Sequence, residues 1–151
     1  MTEPRAPRKL KLVIGRAERI DFPDANVFGV PAKIDTGAYR TSVWASDIHE
    51  KDGSLRFKLL GPGSKWYSGK EYQADTYEIV EVENSFGAKE NRYSIFMRIK
   101  IGAKTVKSNV TLSDRSTKIY PVLIGRKMLK GRYIVDVAEG DPIDDEEATE
   151  L

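Results

Sequence analysis

The chain has no cysteine and a single histidine, His49, among its 151 residues. The first absence removes disulfides, thiol nucleophiles and cysteine-ligated zinc together. The second leaves Ser-His-Asp catalysis one imidazole to use, and a multi-histidine zinc site cannot be assembled within one chain. Also missing is any apolar run long enough to span a bilayer. Residues 1–10 carry Arg5, Arg8 and Lys9 and no apolar stretch of the kind a signal peptide needs. A soluble, cytoplasmic protein without membrane contact is the expectation. No Gly-x-x-x-x-Gly-Lys-Ser/Thr phosphate loop appears, so ATP binding has no motif to support it. What remains is mainly carboxylate chemistry, with lysine or tyrosine in support.

A chain of this length suits one domain with tails, and its core can bury about two thirds of the surface an unfolded chain exposes. The net charge of +2 conceals an asymmetry, because Glu139 to Leu151 hold seven acidic residues and no basic one. Residues 1–138 therefore carry 25 basic and 16 acidic residues, a balance of +9. Such a body can attract an anionic partner. No aromatic–basic interleaving or nucleic-acid motif accompanies the charge, so it reads as a solvated, lysine-rich surface and nucleic acid is not expected as a partner. Residues 1–8 read as a flexible basic arm, 9–138 as the folded domain and 139–151 as an acidic disordered tail.

Within the domain the dominant period is two. Ile95, Met97, Ile99 and Ile101 alternate with Phe96, Arg98 and Lys100, the pattern of a strand with one buried face. Val106, Val110 and Leu112 continue after a Gly102-Ala103 turn. Leu55, Phe57 and Leu59 follow the Asp52-Gly53 hairpin signal. Leu10 to Ile14, Tyr77 to Val82 and Tyr133 to Val137 are further strand candidates. Helical signal is confined to about one turn, Arg126 to Lys130, between Gly125 and Gly131. Many short strands with glycine-marked turns predict an all-β barrel or sandwich.

Two motifs carry chemistry. Val30-Pro31-Ala32-Lys33-Ile34 runs as a strand into Asp35-Thr36-Gly37-Ala38, a sharp turn. Asp35 supplies a carboxyl at the strand end, Thr36 can fix the turn through its hydroxyl, and Gly37 permits close approach of a second backbone. Ala38 keeps the space behind the carboxyl small and apolar. A given triplet turns up by chance in roughly 3 % of chains this long, so the turn alone is only suggestive. The second motif is Tyr120-Pro121-Val122-Leu123-Ile124-Gly125-Arg126, an apolar strand ending in Gly-Arg before the short helix.

With both in place, the sequence resembles the retropepsin-like aspartic peptidases, whose half-barrel pairs an Asp-Thr-Gly-Ala turn with a later apolar pair, Gly-Arg and a helix. It is most similar to the small bacterial and archaeal family labelled "ATP-dependent zinc protease". That resemblance runs through residues 31–39, Asn84-Ser85-Phe86-Gly87, Leu123-Ile124-Gly125-Arg126 and Gly131 to Asp136, covering most of residues 11–138.

The resemblance implies a closed acid-protease barrel with one short C-terminal helix, and an aspartic endopeptidase acting on a peptide or protein substrate without a cofactor. Its catalytic carboxyl would be Asp35. Two such carboxyls held about 3 Å apart share one proton; the ionised member activates a water while the neutral one hydrogen-bonds the scissile carbonyl. One Asp-Thr-Gly occurs here and no second copy, so the partner carboxyl, Asp35′, is expected from a two-fold mate in a homodimer. Thr36, Gly37 and Ala38 would form the active-site turn and dimer grip. Ile124, Gly125 and Arg126 would form the second barrel motif, and Asn84, Ser85, Phe86 and Gly87 a flap over substrate.

Three departures stand out. Retroviral members carry an acidic residue four positions after the aspartate, where this chain has Tyr39 followed by Arg40, which leaves Arg126 without its expected ionic partner. Residues 50–75 exceed a minimal retropepsin half and read as a surface insertion that could also shape the cleft. His49 with Asp47 or Glu50 makes a poor metal site, so no metal is expected. Rival readings are a catalytically silent peptide-binding dimer of the same fold and a regulatory adaptor that uses the basic body.

Overall fold

A computed structural model describes residues 10–84 and 86–140. The arm expected over residues 1–8 and the tail beyond residue 140 lie outside these described residues. Eleven strands, one 3-10 turn and one short helix follow in order: β1 (Leu12–Ile14), β2 (Ala17–Phe22), the 3-10 turn (Pro23–Ala25), β3 (Val27–Ile34), β4 (Thr41–Lys51), β5 (Ser54–Leu59), β6 (Glu71–Ala74), β7 (Glu78–Glu83), β8 (Lys89–Ile101), β9 (Lys104–Ser113), β10 (Val122–Ile124), α1 (Arg126–Leu129) and β11 (Tyr133–Val135).

The period of two becomes a buried face. Ile95, Ile99 and Ile101 of β8 are buried while Phe96, Arg98 and Lys100 face out, and Leu55, Phe57 and Leu59 of β5 are buried likewise. Each such side chain contributes about 1.5–3 kcal/mol of transfer free energy on full burial. Tight turns set the registers. Asp52 (φ 52°) and Gly53 (φ 78°) are both left-handed, as a two-residue hairpin with the native twist requires, and they join β4 to β5. Gly102 (φ 60°) does the same work between β8 and β9.

Hydrogen-bonded pairing closes on itself. β10 pairs with β3, β3 with β2, β2 with β8, β8 with β9, β9 with β4, and β4 again with β10, giving a ring of six strands. Closure gives each of these six strands a partner on both sides along part of its length. Among the described residues the fold is thus all-β, with a closed sheet and a single short helix, as the sequence predicts. Beyond the ring, β5 and β6 extend from the outer half of β4, and β7 folds back on β8. β1 and β11 form a separate parallel pair that brings both ends of the described chain together.

The expected boundaries shift slightly. The strand expected over 10–14 is three residues long, the one over 133–137 stops at Val135, and the helix ends at Leu129. The fixed backbone also runs past residue 138, because the Glu139 carbonyl accepts from the Arg16 amide at 2.9 Å. Residues 50–75 build β5, β6 and the loop between them, an outward extension of the sheet.

Candidate active site

The strand β3 delivers Asp35 to its place. It carries buried Val30, Ala32 and Ile34, and it lies parallel to β10 with Ile34 opposite Ile124. On its other side β10 pairs antiparallel with β4, so it threads between two strands that are joined by residues 35–40. The Asp-Thr-Gly turn therefore has a strand beneath it on both sides. The Asp35 amide donates to the Ile124 carbonyl at 2.9 Å, and the amides of Arg126 and Lys127 donate to Ala38 and Tyr39 at 2.8 and 3.1 Å. The two motifs that stand 90 residues apart in sequence form one hydrogen-bonded unit.

Glycines allow this closeness. A Cβ on Gly125 would lie 2.5 Å from the Arg40 carbonyl oxygen and 2.6 Å from its carbon, both backbone atoms. At Gly37 the amide donates to Asp35 Oδ1 at 2.9 Å, and a Cβ there would stand 3.2 Å from that oxygen. One carboxylate oxygen of Asp35 is thus held by its own turn. The side chain is half-buried.

Asp35, Gly37 and Ala38 open onto a cleft of about 730 Å³ whose far wall is the β7–β8 hairpin at Glu81, Val82, Glu83 and Asn84. The hairpin tip is ordered by Asn84, whose side-chain oxygen accepts from the amides of Phe86 (2.9 Å) and Ala88 (3.0 Å), with Gly87 at φ 80°. Phe86 is 94 % exposed at its end. Of the expected flap residues, Asn84 lines this cleft, while Phe86 and Gly87 do not; Ser85 lies outside the described residues. None of the described residues from 50 to 75 lines this cleft.

Thr36 does not line the cleft but a second hollow, together with Tyr39, Arg126 and Lys127. The Arg126 guanidinium donates to the Thr36 carbonyl at 3.1 Å and lies 5.9 Å from the centroid of the Tyr39 ring. Tyr39, in the position where an acid stands in retroviral members, meets the arginine with its ring instead. Cation–π contact at an exposed site is worth about 0.5–1 kcal/mol.

Other residues of the site left no local sequence signal. Thr41 is buried, and its hydroxyl accepts from the Gly125 amide at 3.1 Å. Cations line much of the cleft: Lys33, Arg40, Arg92, Arg115 and Lys118 against Asp35, Glu81 and Glu83. Arg115 donates through Nε to the Tyr120 carbonyl at 3.0 Å. Burial and the neighbouring Arg92 push the Arg115 guanidinium down from its ordinary value, while Asp35 pulls the other way. Arg115 thus feels both Arg92 and Asp35.

His49 gathers Asp47 and Glu71, rather than Glu50, with one ligand-type atom from each lying within 4.8 Å of the others. Both acids are exposed and already face cations, Lys58 at 3.5 Å from Asp47 and Arg56 at 3.8 Å from Glu71. The group lies on the outer β4–β6 extension, and none of its three residues lines the Asp35 cleft. No described helix is long and apolar enough to cross a membrane.

A match to the RimB-like family, described as retropepsin-like aspartic endopeptidase RimB, spans residues 13–145. The chain belongs to that family. Among curated proteins it is 27 % identical over 132 residues to a probable alpha-L-glutamate ligase of Desulfotalea psychrophila, covering 85 % of this chain and 28 % of that one. A probable alpha-L-glutamate ligase of Shewanella pealeana is 26 % identical over 133 residues, covering 85 % and 29 %. The chain therefore spans under a third of the length of these relatives. Among solved structures it resembles Lpg0085 of Legionella pneumophila, a protein of unknown function, with a TM-score of 0.63 and 28 % identity over 87 % of this chain and 98 % of that one.

Proposed function

We propose that the protein is an aspartic endopeptidase whose water-activating pair is Asp35 and its copy Asp35′ in a homodimer. The observation that carries this reading is the placement of Asp35: a half-buried carboxyl, pinned by its own turn, in a cleft that the β7–β8 hairpin also lines. In that setting one oxygen is fixed by the Gly37 amide and the other is left for water or a partner carboxyl. A symmetric mate supplies the second carboxyl at no cost in new sequence, and the shared proton gives one base and one acid. Closure of the Asn84–Ala88 hairpin tip over a bound peptide would exclude water and order the substrate.

The cations around Asp35 favour an acidic peptide. Kinship to a segment of proteins named as probable alpha-L-glutamate ligases points to glutamate as the acidic residue in question. The deciding experiment is a mass-spectrometric digest of a peptide library that includes glutamate-rich members. It compares the native chain with Asp35→Asn from mildly acid to neutral pH. Cleavage by the native chain and its loss in the variant support the reading. Cleavage that survives in the variant, or a native chain that binds peptides without cutting any, overturns it.

A further inference from the structure

We propose that the acidic C-terminal segment of the chain itself, residues 141–150, docks in the cationic cleft that holds Asp35 and competes there with peptide. The inference rests on the reading of this cleft as the peptide-binding site, but not on its catalytic competence.

Charge complementarity comes first. Residues 141–150 include Asp141, Asp144, Asp145, Glu146, Glu147 and Glu150 and no basic residue. The cleft offers Arg92 and Arg115 on its walls, with Lys118 exposed at its margin. Arg92 already meets the Glu90 carboxylate, so Arg115, on the same cleft, and the exposed Lys118 are the cations left to receive a carboxylate and make charge-assisted hydrogen bonds.

The exit point comes second. The Glu139 carbonyl accepts from Arg16, and the Arg16 carbonyl accepts in turn from the Ile34 amide at 2.8 Å, one residue before Asp35. Two strand spacings of about 4.8 Å put the departing chain on the order of 10 Å from the start of the Asp-Thr-Gly turn. The exit is built into the fold: a Cβ on Gly15 would lie 2.5 Å from the Glu139 carbonyl carbon and 2.6 Å from the Gly140 nitrogen, so a bare glycine lets the backbone pass. Ten extended residues reach up to roughly 35 Å, ample to enter the cleft from there.

The test uses full-length chains and a fluorescein-labelled peptide of sequence 141–151, read by anisotropy at low and raised salt. The chains are the wild type and a form with the six acids changed to their amides (D141N, D144N, D145N, E146Q, E147Q, E150Q). The amide form is expected to bind the peptide at least fivefold more tightly than the wild type, whose own segment occupies the site. Added Lys118→Glu or Arg115→Gln should each weaken that binding several-fold, and raised salt should weaken it further. Equal binding by the two chains, no binding by the amide form, or indifference to both cleft substitutions overturns the proposal. Because the readout is binding, an Asp35→Asn result that removes the peptidase reading leaves this outcome interpretable, and the converse holds too.

Discussion

The hydroxyl of Thr41 accepts the amide hydrogen of Gly125 across 84 residues of chain, in a buried position beside the turn that carries Asp35. The bond ties the start of β4 to the end of β10. With the Asp35 amide on Ile124, it fixes both ends of the loop between β3 and β4 to the strand that threads them. The orientation of the carboxyl is therefore a property of the closed sheet rather than of the turn alone.

Thr41→Val keeps the shape of the side chain and leaves the Gly125 amide without its buried acceptor. The expected loss is about 1–3 kcal/mol of stability, the cost of an unsatisfied buried donor. Denaturant unfolding measures it, with an unchanged slope showing that the fold is kept. Thr41→Ser, which retains the hydroxyl, should recover most of the loss; a valine variant as stable as the wild type would contradict this role for the bond.

Gly125→Ala tests the close approach itself. Its Cβ would press on the backbone of Tyr39 and Arg40, which no rotamer change can relieve. Overpacking of this kind costs about 1–3 kcal/mol. Any cleavage activity should fall by more than the stability loss explains, because the turn that moves is the one holding Asp35. A fully active alanine variant would show that the turn tolerates displacement.

These contacts show what was legible in the sequence and what was not. β5 from Leu55 and β8 from Ile95 announce themselves by alternation, because each there presents one face to the core. β4 does not: Thr41, Ser42 and Val43 are all buried in a row, and a bulge between Ser46 and His49 then turns its outer half toward β5. Alternation is likewise broken in β2 by the bulge between Ile20 and Phe22. The Asp-Thr-Gly and Gly-Arg motifs were readable because each is contiguous. The cations Arg92 and Arg115 come from separate strand and loop positions, and only closure of the ring puts them in one cleft with Asp35.

The pH dependence of stability should report Asp24. Hydrogen bonding from Arg98 holds its carboxyl below the ordinary value of 3.8, and the guanidinium's charge adds to this. A carboxyl depressed in the folded state contributes stability above the unfolded value, and the contribution disappears as pH falls through the folded one. Asp24→Asn should therefore lower Tm at neutral pH and lose its difference from the wild type as the medium becomes strongly acid. A constant difference across the acid range would assign the effect to packing.

A shared site makes a quantitative demand on mixtures. If Asp35 works only opposite Asp35′, a dimer with one Asp35→Asn chain has a single carboxyl and cannot divide the roles of base and acid. Wild-type and variant chains mixed in equal amounts and allowed to exchange then form about one quarter wild-type pairs, on the simple statistics of two-fold assembly. Activity should settle at about a quarter of that of the same total amount of wild-type chain. A chain that acts alone would retain half. Dilution supplies the companion measurement: specific activity should fall as pairs dissociate, while a monomer gives the same value at every concentration. The variant differs by one side-chain atom and keeps the Gly37 contact within reach, so it should join pairs as readily as the wild type. A measured half, stable after prolonged exchange, means that one Asp35 suffices.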